Sequence, residues 1–183
     1  IAHWVWAPNG WLFKEGALDF AGGTVVHINA GLAAIAAAFL VGRRRNPGLQ
    51  PHNAPYVVLG AALLWFGWFG FNAGSAGAAN GAAGMAMLVT HISAAVGSLT
   101  WMACEWVKFG KPSVLGIVTG MVAGLATITP ASGYVGPLGG LIIGIVAGGG
   151  CFMATQFMKR VTDIQAPDAS TVQITLDRPS ASF

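Results

Sequence analysis

The sequence predicts an all-α fold, a polytopic transmembrane helix bundle of about five spanning helices. Two observations predict it. Of 183 residues, 55% are hydrophobic and only 8% charged, with 27 glycines and a mean hydropathy of +0.65, a membrane protein's profile. Apolar stretches also recur at the length of about 20 residues that a hydrocarbon core about 30 Å thick requires at about 1.5 Å per residue.

Five stretches qualify: Ala17 to Gly42, Pro55 to Ser75, Gly84 to Val107, Ser113 to Thr129 (the shortest) and Val135 to Met158. The opening "IAHWVW" reads as the tail of a further hydrophobic element. With no initiating Met, the expectation is a fragment whose upstream part is missing.

The loops supply an orientation. Arg43, Arg44 and Arg45 follow the first stretch, Lys108 and Lys111 the third, and Lys159 and Arg160 the fifth, while "AGAANG" (76 to 81) and "PASGYVGPLGG" (130 to 140) carry no charge. Because Lys and Arg mark the cytoplasmic side, the odd-numbered spans run from outside to inside. The formal charge of +3 follows from that asymmetry, and no basic stripe with interleaved aromatics points to nucleic acid. Cys104 and Cys151 fall inside spans without a Cys-x-x-Cys spacing and read as small packing residues.

Small residues at four-residue spacing, Gly70 and Gly74, Gly120 and Gly124, and Gly140, Gly144 and Gly148, are expected to let helix backbones approach closely, since no hydrophobic force drives association inside lipid. Polar residues within spans need another explanation, because lipid cannot solvate them. In "DFAGGTVVHINAG" (19 to 31), His27 has Gly23, Thr24, Ala30 and Gly31 one turn away, so it projects from a stripe of small residues where a helix or a narrow lumen can lie. It sits about 12 Å deeper along the axis than Asp19, and a desolvated imidazole there stays neutral unless a partner compensates it. A satisfied core histidine is the bland alternative.

Asp19, at the outer end of its span, reads either as a first-turn carboxylate bonded to backbone N–H groups or as a carboxylate that orients a cation. Asn29 has no assigned partner. In "WFGWFGFNAGS", Trp68, Phe71 and Ser75 share one helical face, offering two rings that can hold a cation and a hydroxyl that can accept one of its hydrogen bonds. An interfacial aromatic belt accounts for Trp4, Trp6, Trp11, Trp101 and Trp106 by default and less well for the deeper Trp68.

Three motifs carry a resemblance: "GALDFAGGTVVHINAGLAA" (16 to 34), "PHNAPYVVLGAALLWFGWFGFNAGSAG" (51 to 77) and "ITPASGYVGPLGG" (128 to 140). With them the chain resembles the ammonium transporter family, the Amt/Mep proteins related to the Rh proteins, over roughly residues 1 to 160. "HWVW" at 3 to 6 is similar to the segment that precedes this region in the family.

The resemblance implies ammonium or ammonia transport in a cell membrane by a homotrimer of eleven-helix protomers, each with its own pore. It also implies a cytoplasmic regulatory protein as partner, methylammonium as a substrate analogue, and no cofactor. It places Trp6 and Ser75 in an external ammonium recruitment site and Phe71 in a stacked gating pair whose partner lies upstream of this chain. His27 becomes the first of two histidines facing each other in a narrow lumen, Trp68 a neighbour beside them, Asp19 a shaper of the recruitment region, and Thr129 a residue near the lumen.

The chemistry is consistent with this. Rings and hydroxyl oxygens replace part of the water around a cation with four N–H donors. A dry lumen then makes the ion expensive and favours passage as neutral ammonia, the proton going to or through a neutral histidine.

One departure stands beside the match. The family's second histidine, in a stretch resembling "DVFxVHG", is replaced here by "TDIQAPDASTVQITLDRPSASF" (162 to 183), polar and with Pro167 and Pro179. Residues 161 to 183 are therefore expected as a C-terminal tail that does not match the family, either a truncation with a shifted frame or a natural cytoplasmic end. His91 in "LVTHISAA" is not nominated as a substitute, and the chain alone is expected not to transport.

Other classes are weaker. An intramembrane enzyme using His27 and Asp19 lacks a nucleophile motif. A metal site using His27 and His91 lacks nearby carboxylate or thiolate ligands. A non-transporting ammonium sensor or a structural membrane subunit is the remaining alternative.

Overall fold

The computed structural model describes residues 1–42 and 52–158, together with the backbone of 161–168 and 171–176. Arg43 to Arg45, Lys159 and Arg160, on which the orientation partly rests, lie outside the described residues. Two short helices, α1 (Ala2–Trp6) and α2 (Trp11–Lys14), lead into a π-helical stretch, Gly23–Ile28, that continues without a break as α3 (Asn29–Val41). Four helices follow: α4 (Ala54–Gly74), α5 (Gly81–Phe109), α6 (Val114–Ile128) and α7 (Pro137–Met158). Gly23–Val41, α4, α5 and α7 are long and apolar enough to cross a membrane, and α6 is the shorter apolar helix.

The chain supplies the stop and start signals itself. Asn53, Asn80 and Ser113 cap α4, α5 and α6 by accepting from the N–H groups of Tyr56, Ala83 and Gly116 at 3.1, 3.1 and 2.9 Å. Gly110 ends α5 at φ 74°, a left-handed conformation that glycine adopts without penalty. The first span starts at Gly23, six residues later than Ala17, because residues 19–22 form a capping turn.

α5, α6 and α7 pack through their small residues. A Cβ on Gly97 would lie 2.5 Å from the Gly120 carbonyl oxygen and 3.2 Å from Gly124 Cα, and one on Gly148 would lie 2.5 Å from the Gly97 oxygen. Gly140 and Gly144 likewise meet Val89 and Ser93 of α5. The expectation for Gly120, Gly124, Gly140, Gly144 and Gly148 is met, because each sits where backbones touch. At Gly70 and Gly74 it is not: among the described residues nothing lies within 4 Å of a Cβ there.

α4 leans on this trio through Ala61, which clusters with Ala94, Met121 and Leu125 while Trp65 and Trp68 pack at the edge. Glu105 closes the α5–α6 turn, accepting from the Ser113 N–H at 2.6 Å, the Ser113 hydroxyl at 3.0 Å and Trp101 Nε1 at 3.2 Å. Leu32, Ile35, Phe39 and Leu40 of α3 are exposed. Beyond the helical bundle, Val161–Asp168 (β1) and Thr171–Leu176 (β2) pair as an antiparallel ribbon with Ile164 opposite Ile174.

Candidate functional site

Asp19 organises the N-terminal end of the first span. Its carboxylate accepts from four successive N–H groups: Gly22 and Gly23 reach Oδ1 at 2.9 and 2.7 Å, and Thr24 and Val25 reach Oδ2 at 2.9 and 3.0 Å. Those are the donors a helix start leaves unpaired, and a negative group there also opposes the positive end of the helix dipole. The side chain is 6% exposed, so backbone dipoles stand in for water around the charge. Trp6 Nε1 donates to the Asp19 carbonyl oxygen at 2.8 Å, which fixes the indole over this turn. Gly22, at φ 103° and with the Trp6 ring 3.4 Å from where a Cβ would be, makes the turn possible.

His27 lies in the π-helical stretch that this cap begins. Its ring centroid is 5.1 Å from that of Trp68 and 5.7 Å from that of Phe71, both on α4. Its Nε2 is buried and makes no hydrogen bond among the described residues. An apolar groove of about 430 Å³ runs beside it, lined by Gly60, Leu63, Leu64, Gly67, Trp68, Phe71 and His27. An unpaired imidazole nitrogen next to an apolar groove can exchange a hydrogen bond with a small polar molecule that has no other partner there.

Trp68 is held from behind. Its Nε1 donates to Thr129 Oγ1 at 2.9 Å, and the Thr129 hydroxyl donates to the Leu125 carbonyl at 2.7 Å. Thr129 is fully buried. At the C-terminal end of α4, the exposed Ser75 hydroxyl donates to the Phe71 carbonyl at 2.8 Å, which leaves its oxygen lone pairs free to accept.

The structure therefore joins His27, Trp68, Phe71 and Thr129 in one cluster and Trp6 with Asp19 in a second, while Ser75 bonds within its own helix. His91 is not part of either cluster: it stacks on Trp65 and Phe69, 5.2 and 6.0 Å away, beside a different groove. Among the described residues no group of three His, Cys, Asp or Glu side chains stands close enough to hold a metal ion.

Two contacts were not read from the sequence. Asn72 is fully buried and donates to Thr90 Oγ1 at 2.9 Å, leaving its Oδ1 without a partner among the described residues. A polar side chain inside a span was its available signal. Pro130, whose carbonyl accepts from the Phe20 N–H at 3.0 Å, carried no such signal.

A histidine flanked by aromatic rings at an apolar groove lies here among helices long and apolar enough to cross a bilayer, the profile of a multi-pass membrane protein. Comparison with known proteins narrows the class. The sequence model of the Ammonium Transporter Family matches residues 1–172, and the chain belongs to that family.

It is 55% identical over 160 residues to "Ammonium transporter Amt1" of Archaeoglobus fulgidus, a match covering 86% of this chain and 40% of that protein. It is 52% identical over 147 residues to "Ammonium transporter" of Aquifex aeolicus, covering 80% of this chain and 34% of that one. The crystal structure of Candida albicans Mep2 superimposes with a TM-score of 0.79 at 44% identity, covering 84% of this chain and 35% of that chain. The chain thus spans about a third to two fifths of the length of these relatives.

Proposed function

We propose that this chain supplies the ammonium-receiving part of a pore that carries ammonium or ammonia across a cell membrane. The observation that carries the proposal is the buried Nε2 of His27, without a hydrogen-bond partner among the described residues, beside an apolar groove and with the Trp68 and Phe71 rings at 5.1 and 5.7 Å.

An ammonium ion meets the Trp6 ring and the Ser75 oxygen at the outer face, where cation–π attraction and one hydrogen bond replace part of its water. Beyond Phe71 the apolar lining makes the ion costly and favours neutral ammonia. His27 offers ammonia a hydrogen bond and accepts or relays the proton. Asp19 acts at one remove, since its carboxylate is committed to four backbone donors that hold the His27 helix in place.

The homotrimer and a cytoplasmic regulatory partner belong to the same proposal on family likeness. So does the boundary that treats residues 161 to 183 as a tail, although the family match extends to residue 172. An enzymatic role is not part of it.

The test is uptake of labelled methylammonium by cells devoid of other ammonium carriers. The matched region of the Archaeoglobus fulgidus relative is replaced by this chain's residues, with and without H27A. Uptake that H27A abolishes is expected, with none from the 183-residue chain alone. A chimera that reaches the membrane and carries nothing would overturn the reading.

A further inference from the structure

Thr129 and Pro130 follow α6 directly, and each holds one of the two elements that meet at His27. On one side Trp68 Nε1 donates to Thr129 Oγ1, and the hydroxyl proton goes on to the Leu125 carbonyl. Thr129 is 0% exposed, so its single proton and one lone pair are used inside the bundle. On the other side the Pro130 carbonyl accepts from the Phe20 N–H at 3.0 Å. The Pro130 ring also lies so close to Gly23, the first residue of the π-helical stretch, that a Cβ there would overlap it. Two consecutive residues thus hold the Trp68 ring and the start of the His27 helix in one frame.

We propose that the Thr129–Pro130 junction is the positioning element that sets the His27–Trp68 spacing, with Thr129 acting through Trp68 and not on the substrate. The inference rests on the ammonium reading only for what that pair serves; the geometry itself is independent of it. A π-turn widens the backbone and redirects the side chains that follow. The bearing of His27 therefore depends on where its first residue is anchored, and that anchor is Pro130. The indole N–H of Trp68 has its acceptor one residue earlier in the same junction.

The test is ¹⁹F NMR of the full 183-residue chain labelled with 5-fluorotryptophan in lipid nanodiscs, with the Trp68 resonance assigned by W68F. Without ammonium, T129V removes the acceptor at nearly constant volume and should displace the Trp68 resonance. T129S restores the hydroxyl and should return it to the wild-type position, while the Trp6 resonance stays in place in both. An unmoved Trp68 signal in T129V, or an equal displacement in T129S, overturns the proposal.

Should T129V fail to fold, the unaltered chain still decides the matter. The Trp68 indole N–H should exchange with solvent roughly tenfold more slowly than that of a tryptophan without an acceptor, about the factor a hydrogen bond sets. Equal exchange refutes the junction.

Methylammonium separates the two readings. If T129V abolishes a methylammonium response while leaving the Trp68 resonance of the free chain unmoved, Thr129 is a direct contact and the proposal falls. If T129V displaces Trp68 but no variant, nor the wild type, responds to methylammonium, the junction stands and the ammonium reading fails.

Discussion

Replacing Asp19 tests the link between the cap and the histidine it supports. In D19A the N–H groups of Gly22, Gly23, Thr24 and Val25 lose their shared acceptor. A hydrogen bond to a charged group contributes about 1.5–3 kcal/mol, and each 1.4 kcal/mol is about tenfold in an equilibrium. Each of those amides should therefore open about ten- to a hundredfold more often. D19N keeps one carbonyl oxygen and turns an amide donor toward the other pair, so two of the four amides should stay protected while two behave as in D19A. Hydrogen exchange followed by mass spectrometry on peptides spanning 19 to 31, in nanodiscs, reads this directly. The α5–α7 contacts should be undisturbed, and amides in those helices serve as the internal reference. Unchanged exchange at 22–25 in D19A would refute the claim that the carboxylate builds this helix start.

Other substitutions separate packing from openness. G97A inserts a methyl group against the Gly120 oxygen and Gly124 Cα and should destabilise the α5–α6 pair by about 1–3 kcal/mol. In the same chain G70A meets nothing within 4 Å and should be neutral or up to about 1 kcal/mol stabilising through helix propensity. Denaturant midpoints in detergent at constant slope check both. E105A strips the Ser113 N–H and Trp101 Nε1 of their acceptor and should cost about 1–3 kcal/mol, with E105Q closer to wild type in the same assay.

Much of the fold was legible because lipid imposes few solutions. Four of the five apolar stretches became helices within three residues of their expected ends, the first starts six residues late at Gly23, and the glycines at 120, 124, 140, 144 and 148 mark real contacts. Gly70 and Gly74 carry the same spacing without a partner among the described residues, because spacing shows that a close approach is possible and not which helix makes it. His27, Trp68 and Phe71 were legible as polar or aromatic groups inside spans. The Asp19 cap was among the readings of its own segment, whereas their joining also depended on the π-turn and on the contact of Pro130 with Gly23, a long-range approach that no local pattern encodes. The hydroxyl of Thr129 illustrates the limit. Resemblance placed it near the lumen, and the structure shows its bonds directed to Trp68 and Leu125.

The most direct test of the central claim is ¹⁵N NMR of the histidine side chains in nanodiscs during titration with methylammonium and, separately, with potassium. If His27 receives the solute, methylammonium moves the His27 ring nitrogens saturably, potassium, which donates no hydrogen bond, does not, and His3, His52 and His91 stay still. A response at His91 instead of His27, or equal responses to both cations, would contradict it.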